Sequence, residues 1–122
     1  MENFILIVRG VDPTTVLASK EEVAGYMNQW TGWRTRLDEK GHLVLSIQLD
    51  SAKVIYGKAR EALNEPLKNN GRSIGGYLIV KAESMDEAIR ISNECPALDL
   101  DGSVEVRSFK NVFHGAAFTP AN

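Results

Sequence analysis

The sequence predicts an α+β fold in which two β-α-β halves build one four-stranded antiparallel sheet with both helices on the same face. Three observations predict it. Ser19 and Ser84 each stand three residues before a glutamate, Glu22 and Glu87, the capping-box spacing that opens a helix. The run HLVLSIQLD, residues 42–50, alternates apolar and polar residues with the period of a half-buried strand. Apolar runs at 3–10 and 75–82 read as further strands, and SVEVRSF at 103–109 as a fourth.

In chain order, NFILIVRG (3–10) is a buried strand, and Asp12-Pro13 marks a loop after it. Beyond Ser19, the residues Val23, Tyr26, Met27, Trp30, Trp33 and Leu37 recur at three- and four-residue spacing, so one apolar stripe runs along a helix that ends at Gly41. In the next strand Leu43, Leu45, Ile47 and Leu49 fall on one face, and His42, Val44, Ser46 and Gln48 on the other. Residues 51–74 are less regular: AKVIYG reads as a short strand or a continuation, and NEPLKNNGRS as a polar loop. GGYLIVKA (75–82) leads into a helix from Ser84 to about Glu94 that Pro96 ends. This order is that of the ferredoxin-like fold, and right-handed crossovers place both helices on one side. The domain then covers residues 1–109 and leaves 110–122 as a tail.

One sheet face is therefore uncovered. Alternation assigns to it Val44, Tyr77, Ile79, Phe109 and one set from the Phe4–Val8 run, together with Glu105 and Arg107. A contiguous apolar patch marks an interface, so the sequence predicts a homodimer packed sheet to sheet. The alternative is a monomer whose tail folds back over the sheet. Glu105 and Arg107 read as an interface ion pair rather than a ligand clamp.

Composition removes several classes of function. A net charge of −2 and scattered lysines and arginines argue against nucleic acid as a partner. The RNA-binding domains that share this element order stack bases on aromatics of the third strand, where GGYLIVKA supplies only Tyr77. The single cysteine makes no intramolecular disulfide, and the N-terminal apolar run is too short for a leader or a membrane span, so a cytoplasmic location is expected. His42 and His114 have no ligand spacing with each other or with Cys95, so no metal or cofactor is expected.

Trp30 and Trp33 are either core residues or the wall of a small-molecule cleft with Arg34 as an anion partner. Cys95 falls on one helical arc with Ala88, Ile91 and Ser92, which reads as a small buried hydrophobe. Trp30, Trp33, Arg34 and Cys95 are thus the candidate ligand cleft.

SIGGYLIVKAESMDEAIRISNECP followed by GSVEVRSF is similar to the YCII-related proteins, especially the branch named for a D-G-P-F motif. The matching pieces are Gly75-Gly76-Tyr77, Glu83 to Ala88, Cys95-Pro96 and Val104 to Arg107. The resemblance implies a ferredoxin-like domain that dimerises through its sheets into an α/β barrel. At the D-G-P-F position this chain has Asn64-Glu65-Pro66-Leu67, a degenerate form that keeps only the proline. In another branch a His–Asp pair is the proposed active site, and those positions fall at Trp30 and Cys95, which cannot replace it. The expectation is a dimeric module that binds a small molecule or a protein, without that acid–base pair. The rivals are a lyase-like enzyme using Cys95, Arg34, Tyr77, Glu105 and His42, and a regulatory domain of the ACT type.

Overall fold

The computed structural model describes residues 1–58, 61–63, 66–69 and 71–117. Its elements are β1 (Glu2–Gly10), α1 (Pro13–Val16), α2 (Lys20–Glu39), β2 (Leu43–Gln48), β3 (Val54–Tyr56), β4 (Glu61–Leu63), β5 (Lys68–Asn69), β6 (Arg72–Ala82), α3 (Met85–Ser92), a 3-10 turn (Pro96–Leu100) and β7 (Ser103–Ser108). The four long strands lie in the order β2-β6-β1-β7 with every pair antiparallel, and β5 extends the sheet beside β6. This is the ferredoxin-like α+β arrangement. β3 and β4 form a separate two-stranded ribbon.

Local chemistry sets the helix ends. Ser19 and Ser84 are the N-caps of α2 and α3, their hydroxyls accepting the amides of Glu22 and Glu87 at 3.1 and 3.2 Å. At the end of α2, Gly41 has φ +77, and the amides of Gly41 and His42 donate to the carbonyls of Asp38 and Leu37. That double closure needs a left-handed residue, the role glycine fills without a Cβ penalty. Asp12-Pro13 opens the short helix α1 rather than a loop: Asp12 is its N-cap and Pro13 its first residue, where the missing N–H costs nothing.

α3 is shorter than its sequence pattern. It ends at Ser92, and Pro96 begins the 3-10 turn instead of stopping the helix, so Cys95 lies in the link between the two. Cys95 is still buried, as are Ala88, Ile91 and Ser92. In the stretch read as a polar loop, Gly71 turns the chain at φ +77 from β5 into β6, which starts at Arg72.

The core lies between the sheet and the helices. Phe4, Leu6 and Val8 of β1 and Leu78, Val80 and Ala82 of β6 meet Trp33 and Leu37 of α2 and Ala88 and Ile91 of α3. Val104 and Val106 of β7 and Leu43 of β2 pack at its margin. The opposite sheet face carries Ile5 and Ile7, paired with Ile79 and Tyr77 on one side and with Arg107 and Glu105 on the other.

β2 departs from simple alternation. Leu43 pairs with Val80 and Leu45 with the next residue, Ile79, so Val44 is the extra residue of a bulge. Leu43 therefore keeps to the core side, while Leu45 and Ile47 stand opposite Ile79 and Tyr77 on the open face. The expectation that Leu43, Leu45 and Ile47 fall on one face is corrected here, since the bulge separates Leu43 from the other two. Val44 itself is 46% exposed. Residues 110–117 are also exposed, with Phe113 at 99%, so the described part of the tail does not cover the sheet. No helix among the described residues is long and apolar enough to cross a membrane.

Candidate functional site

α2 divides along its length. Its second half buries Trp33 and Leu37, whereas Tyr26 and Trp30 are less covered and Met27 is exposed. Beside its less covered part lies a cavity of about 770 Å³, partly open to solvent and bordered by α2, the sheet and neighbouring loops, a volume suited to a small organic ligand. Tyr26, Met27, Trp30 and Arg34 line it from α2, Ser46 to Gln48 from β2, and Gly75 and Gly76 from β6. Ser46 pairs with Leu78, a core residue, and so turns toward the helices. Pro66 and Leu67 border the same space, while Asn64 and Glu65 of that stretch lie outside the described residues.

The wall is aromatic and cationic. Trp30 and Trp33 meet edge to face, with ring centroids 5.6 Å apart and planes at 74°. The guanidinium carbon of Arg34 lies 6.0 Å from the centre of the Trp30 ring, where the negative face of the indole attracts a cation. None of the ion pairs among the described residues uses Arg34. Burial raises the pKa of the Tyr26 hydroxyl, and a hydrogen bond with the Trp30 side chain opposes that rise. At the rim, the Asp12 carboxylate accepts from the Thr14 amide at 2.9 Å and its hydroxyl at 2.8 Å, contacts that lower its pKa.

The four candidate cleft residues separate. Trp30 and Arg34 line the cavity. Trp33 is fully buried in the core, its indole N–H without a hydrogen-bond partner among the described residues. Cys95 is also buried, and burial pushes its thiol up to about 11 although the Ala97 amide opposes that shift. A thiol so protonated is a poor nucleophile.

His42 lies just before β2, and its Nδ1 donates to the Lys81 carbonyl at 2.8 Å, a bond that directs the ring to the main chain. Tyr77 borders the cavity, but its register places it on the open face. Glu105 sits there too, paired with Arg9 at 2.8 Å and with Arg107 at 3.8 Å. The ion pair read from the sequence is thus a three-membered one, and its strongest contact is to Arg9, which the sequence does not single out. Tyr26 and Ser46 are likewise cavity residues that sequence reasoning misses. Tyr26 is legible as a residue one turn before Trp30, but Ser46 carries no signal apart from the register shift. Among the described residues, no group of three or more His, Cys, Asp or Glu is placed to hold a metal ion.

No match was found among curated proteins. The family model of the YCII-related domain matches residues 4–112, from the first strand to just beyond the last. The chain therefore belongs to the YCII-related domain family.

Proposed function

We propose that this protein is a homodimeric binding module whose cavity beneath α2 receives a small organic molecule. The observation that carries the reading is the cavity itself: about 770 Å³, walled by Tyr26 and Trp30 and flanked by a cation, Arg34. A helix stripe that served packing alone would close this space, as Trp33 and Leu37 do further along the helix. The His–Asp pair proposed as the active site in another branch of the family has no counterpart here by resemblance, its positions falling at Trp30 and Cys95. Binding is accordingly favoured over the lyase-like alternative, because Cys95 is buried outside the cavity lining and burial raises its pKa, which weakens it as a nucleophile. Gly75-Gly76-Tyr77 and Cys95-Pro96 support a place in the D-G-P-F branch of the family, with the motif itself degenerate.

Self-association is the second half of the reading. Ile5, Ile7, Leu45, Ile47, Tyr77 and Ile79 share the open face by register, and Ile47 is 43% exposed. A second copy presenting the same patch is the partner that matches it in extent and polarity.

The cavity is tested by thermal-shift screening of a metabolite panel against the wild type and Ser46→Phe. Ser46 is exposed and turned toward the helices, so the larger ring would occupy the cavity without entering the core. Compounds that raise the melting temperature of the wild type should fail to do so in the variant. If shifts persist unchanged in Ser46→Phe, or the panel gives none, the small-molecule reading is wrong and protein interaction takes its place.

A further inference from the structure

We infer that the ligand is a small amphiphilic carboxylate, its anionic head paired with Arg34 and its apolar body against Tyr26 and Trp30. This rests on reading the cavity as a ligand site and adds the charge class of what fills it. Arg34 is partly buried in the wall and stands over the Trp30 ring. A cation–π contact at 6.0 Å leaves the N–H donors along the guanidinium edge to be satisfied elsewhere. No carboxylate among the described residues forms an ion pair with them. A planar carboxylate matches that edge with two parallel hydrogen bonds, which a neutral amide or alcohol cannot supply.

Two acidic residues, Asp12 and Asp50, also line the cavity, and their effect has to be weighed. Both are exposed, and Asp12 is engaged by Thr14. They follow β1 and β2, at the strand-end mouth, whereas Arg34 lies in the second half of α2. Tyr26 and Arg34 are two turns of helix apart, roughly 12 Å along the axis. Charges at an open rim are screened by water and salt over about 8–10 Å, while a partly buried guanidinium is screened less. The cation therefore dominates the inner part of the site. Its neighbours Trp30, Tyr26 and Met27 offer apolar surface rather than further charge, which matches one anionic group on an otherwise apolar molecule.

The test compares benzoate with benzamide, which share a ring and a shape but differ in charge at neutral pH. Each is titrated into the full chain by calorimetry and by saturation-transfer NMR. Benzoate should bind at least about tenfold more tightly than benzamide, the ratio expected of one charge-assisted hydrogen-bonded pair. Arg34→Gln should erase the preference and Arg34→Lys should keep part of it, both variants melting like the wild type. Equal affinity for the two compounds, or a preference that survives Arg34→Gln, overturns the carboxylate inference and leaves the cavity reading standing. Binding of neither compound also overturns it, and the panel on wild type and Ser46→Phe then reports separately on the cavity.

Discussion

Gly76 lies so close to the main chain of Ile47 that a Cβ built on it would stand 2.4 Å from the Ile47 carbonyl oxygen. β2 and β6 approach each other across this point, where Gln48 pairs with Gly76. The obstructing atom is backbone and cannot rotate away. Gly75, one residue earlier, has nothing within 4 Å of the same position. Gly76→Ala should therefore cost about 2–3 kcal/mol, an overpacking penalty. Gly75→Ala should be neutral or stabilising by up to about 1 kcal/mol, since it only stiffens a strand. Urea denaturation of the two variants measures the contrast, and equal effects would contradict the close approach.

The two tryptophans should divide stability from binding. Trp33 is fully buried, so Trp33→Ala should destabilise by about 3–5 kcal/mol. Its indole N–H has no partner among the described residues, so Trp33→Phe forfeits no hydrogen bond there and should retain most of that stability. Trp30 is only partly buried, and Trp30→Ala should cost less than half as much while abolishing ligand-induced thermal shifts. Chemical melts and ligand shifts on the three variants separate the roles. A larger stability loss at Trp30 than at Trp33 would reverse the division of α2.

Cys95 should behave as an inert thiol with a signature at alkaline pH. Its pKa is raised by burial to about 11, from an ordinary value of 9.0. In this group the folded chain holds its proton more tightly than the unfolded one. The stabilising difference is complete below about pH 9 and is lost as pH rises through 9 to 11. The partly buried Tyr26, its pKa also raised, contributes in the same direction at higher pH. Denaturant melts from pH 8 to 11 should show falling stability, with a shallower fall in Cys95→Ala. At pH 8 a small alkylating reagent should modify the native protein far more slowly than the unfolded chain. Rapid native alkylation would show that the thiol is neither buried nor protonated as described.

Ile79 pairs with Ile5 on one side and Leu45 on the other, which places it inside the open apolar face. Light scattering should give the wild type the mass of two 13.5 kDa chains. Ile79→Glu should give the mass of one, with an unchanged far-UV circular dichroism spectrum, because a carboxylate buried in an interface without a partner is strongly disfavoured. A wild type that stays a single chain at high concentration would remove the sheet-to-sheet dimer.

How much of this is legible in the sequence depends on whether the determining contact is local. Ser19 with Glu22 and Ser84 with Glu87 act within one helical turn, and both helices begin where that spacing places them. Gly41 marks the end of α2 for the same reason. Asp12-Pro13 is ambiguous because an identical dipeptide opens a turn or a short helix, according to its downstream neighbours. The faces of β2 are not legible beyond Leu43, since nothing in LVLSIQ records where its partner strand shifts register. The same limit hides the site. Val23, Tyr26, Trp30, Trp33 and Leu37 share one spacing, yet only the last two are fully buried, and the stripe carries no mark of where full burial begins.

The Val44 bulge has a volumetric consequence. In an unbroken register Leu45 and Ile47 would point at α2, and two branched side chains would fill the space under Tyr26 and Trp30. With one surplus residue, Ser46 and Gln48 face inward instead, and the displaced leucine and isoleucine enlarge the opposite face. A single backbone step thus hollows one side of the sheet and thickens the other. Straightening the bulge with Val44 kept in the ladder would exchange a chamber for a plug and bare the outer face in the same stroke, whereas deleting Val44 would leave Ser46 facing inward.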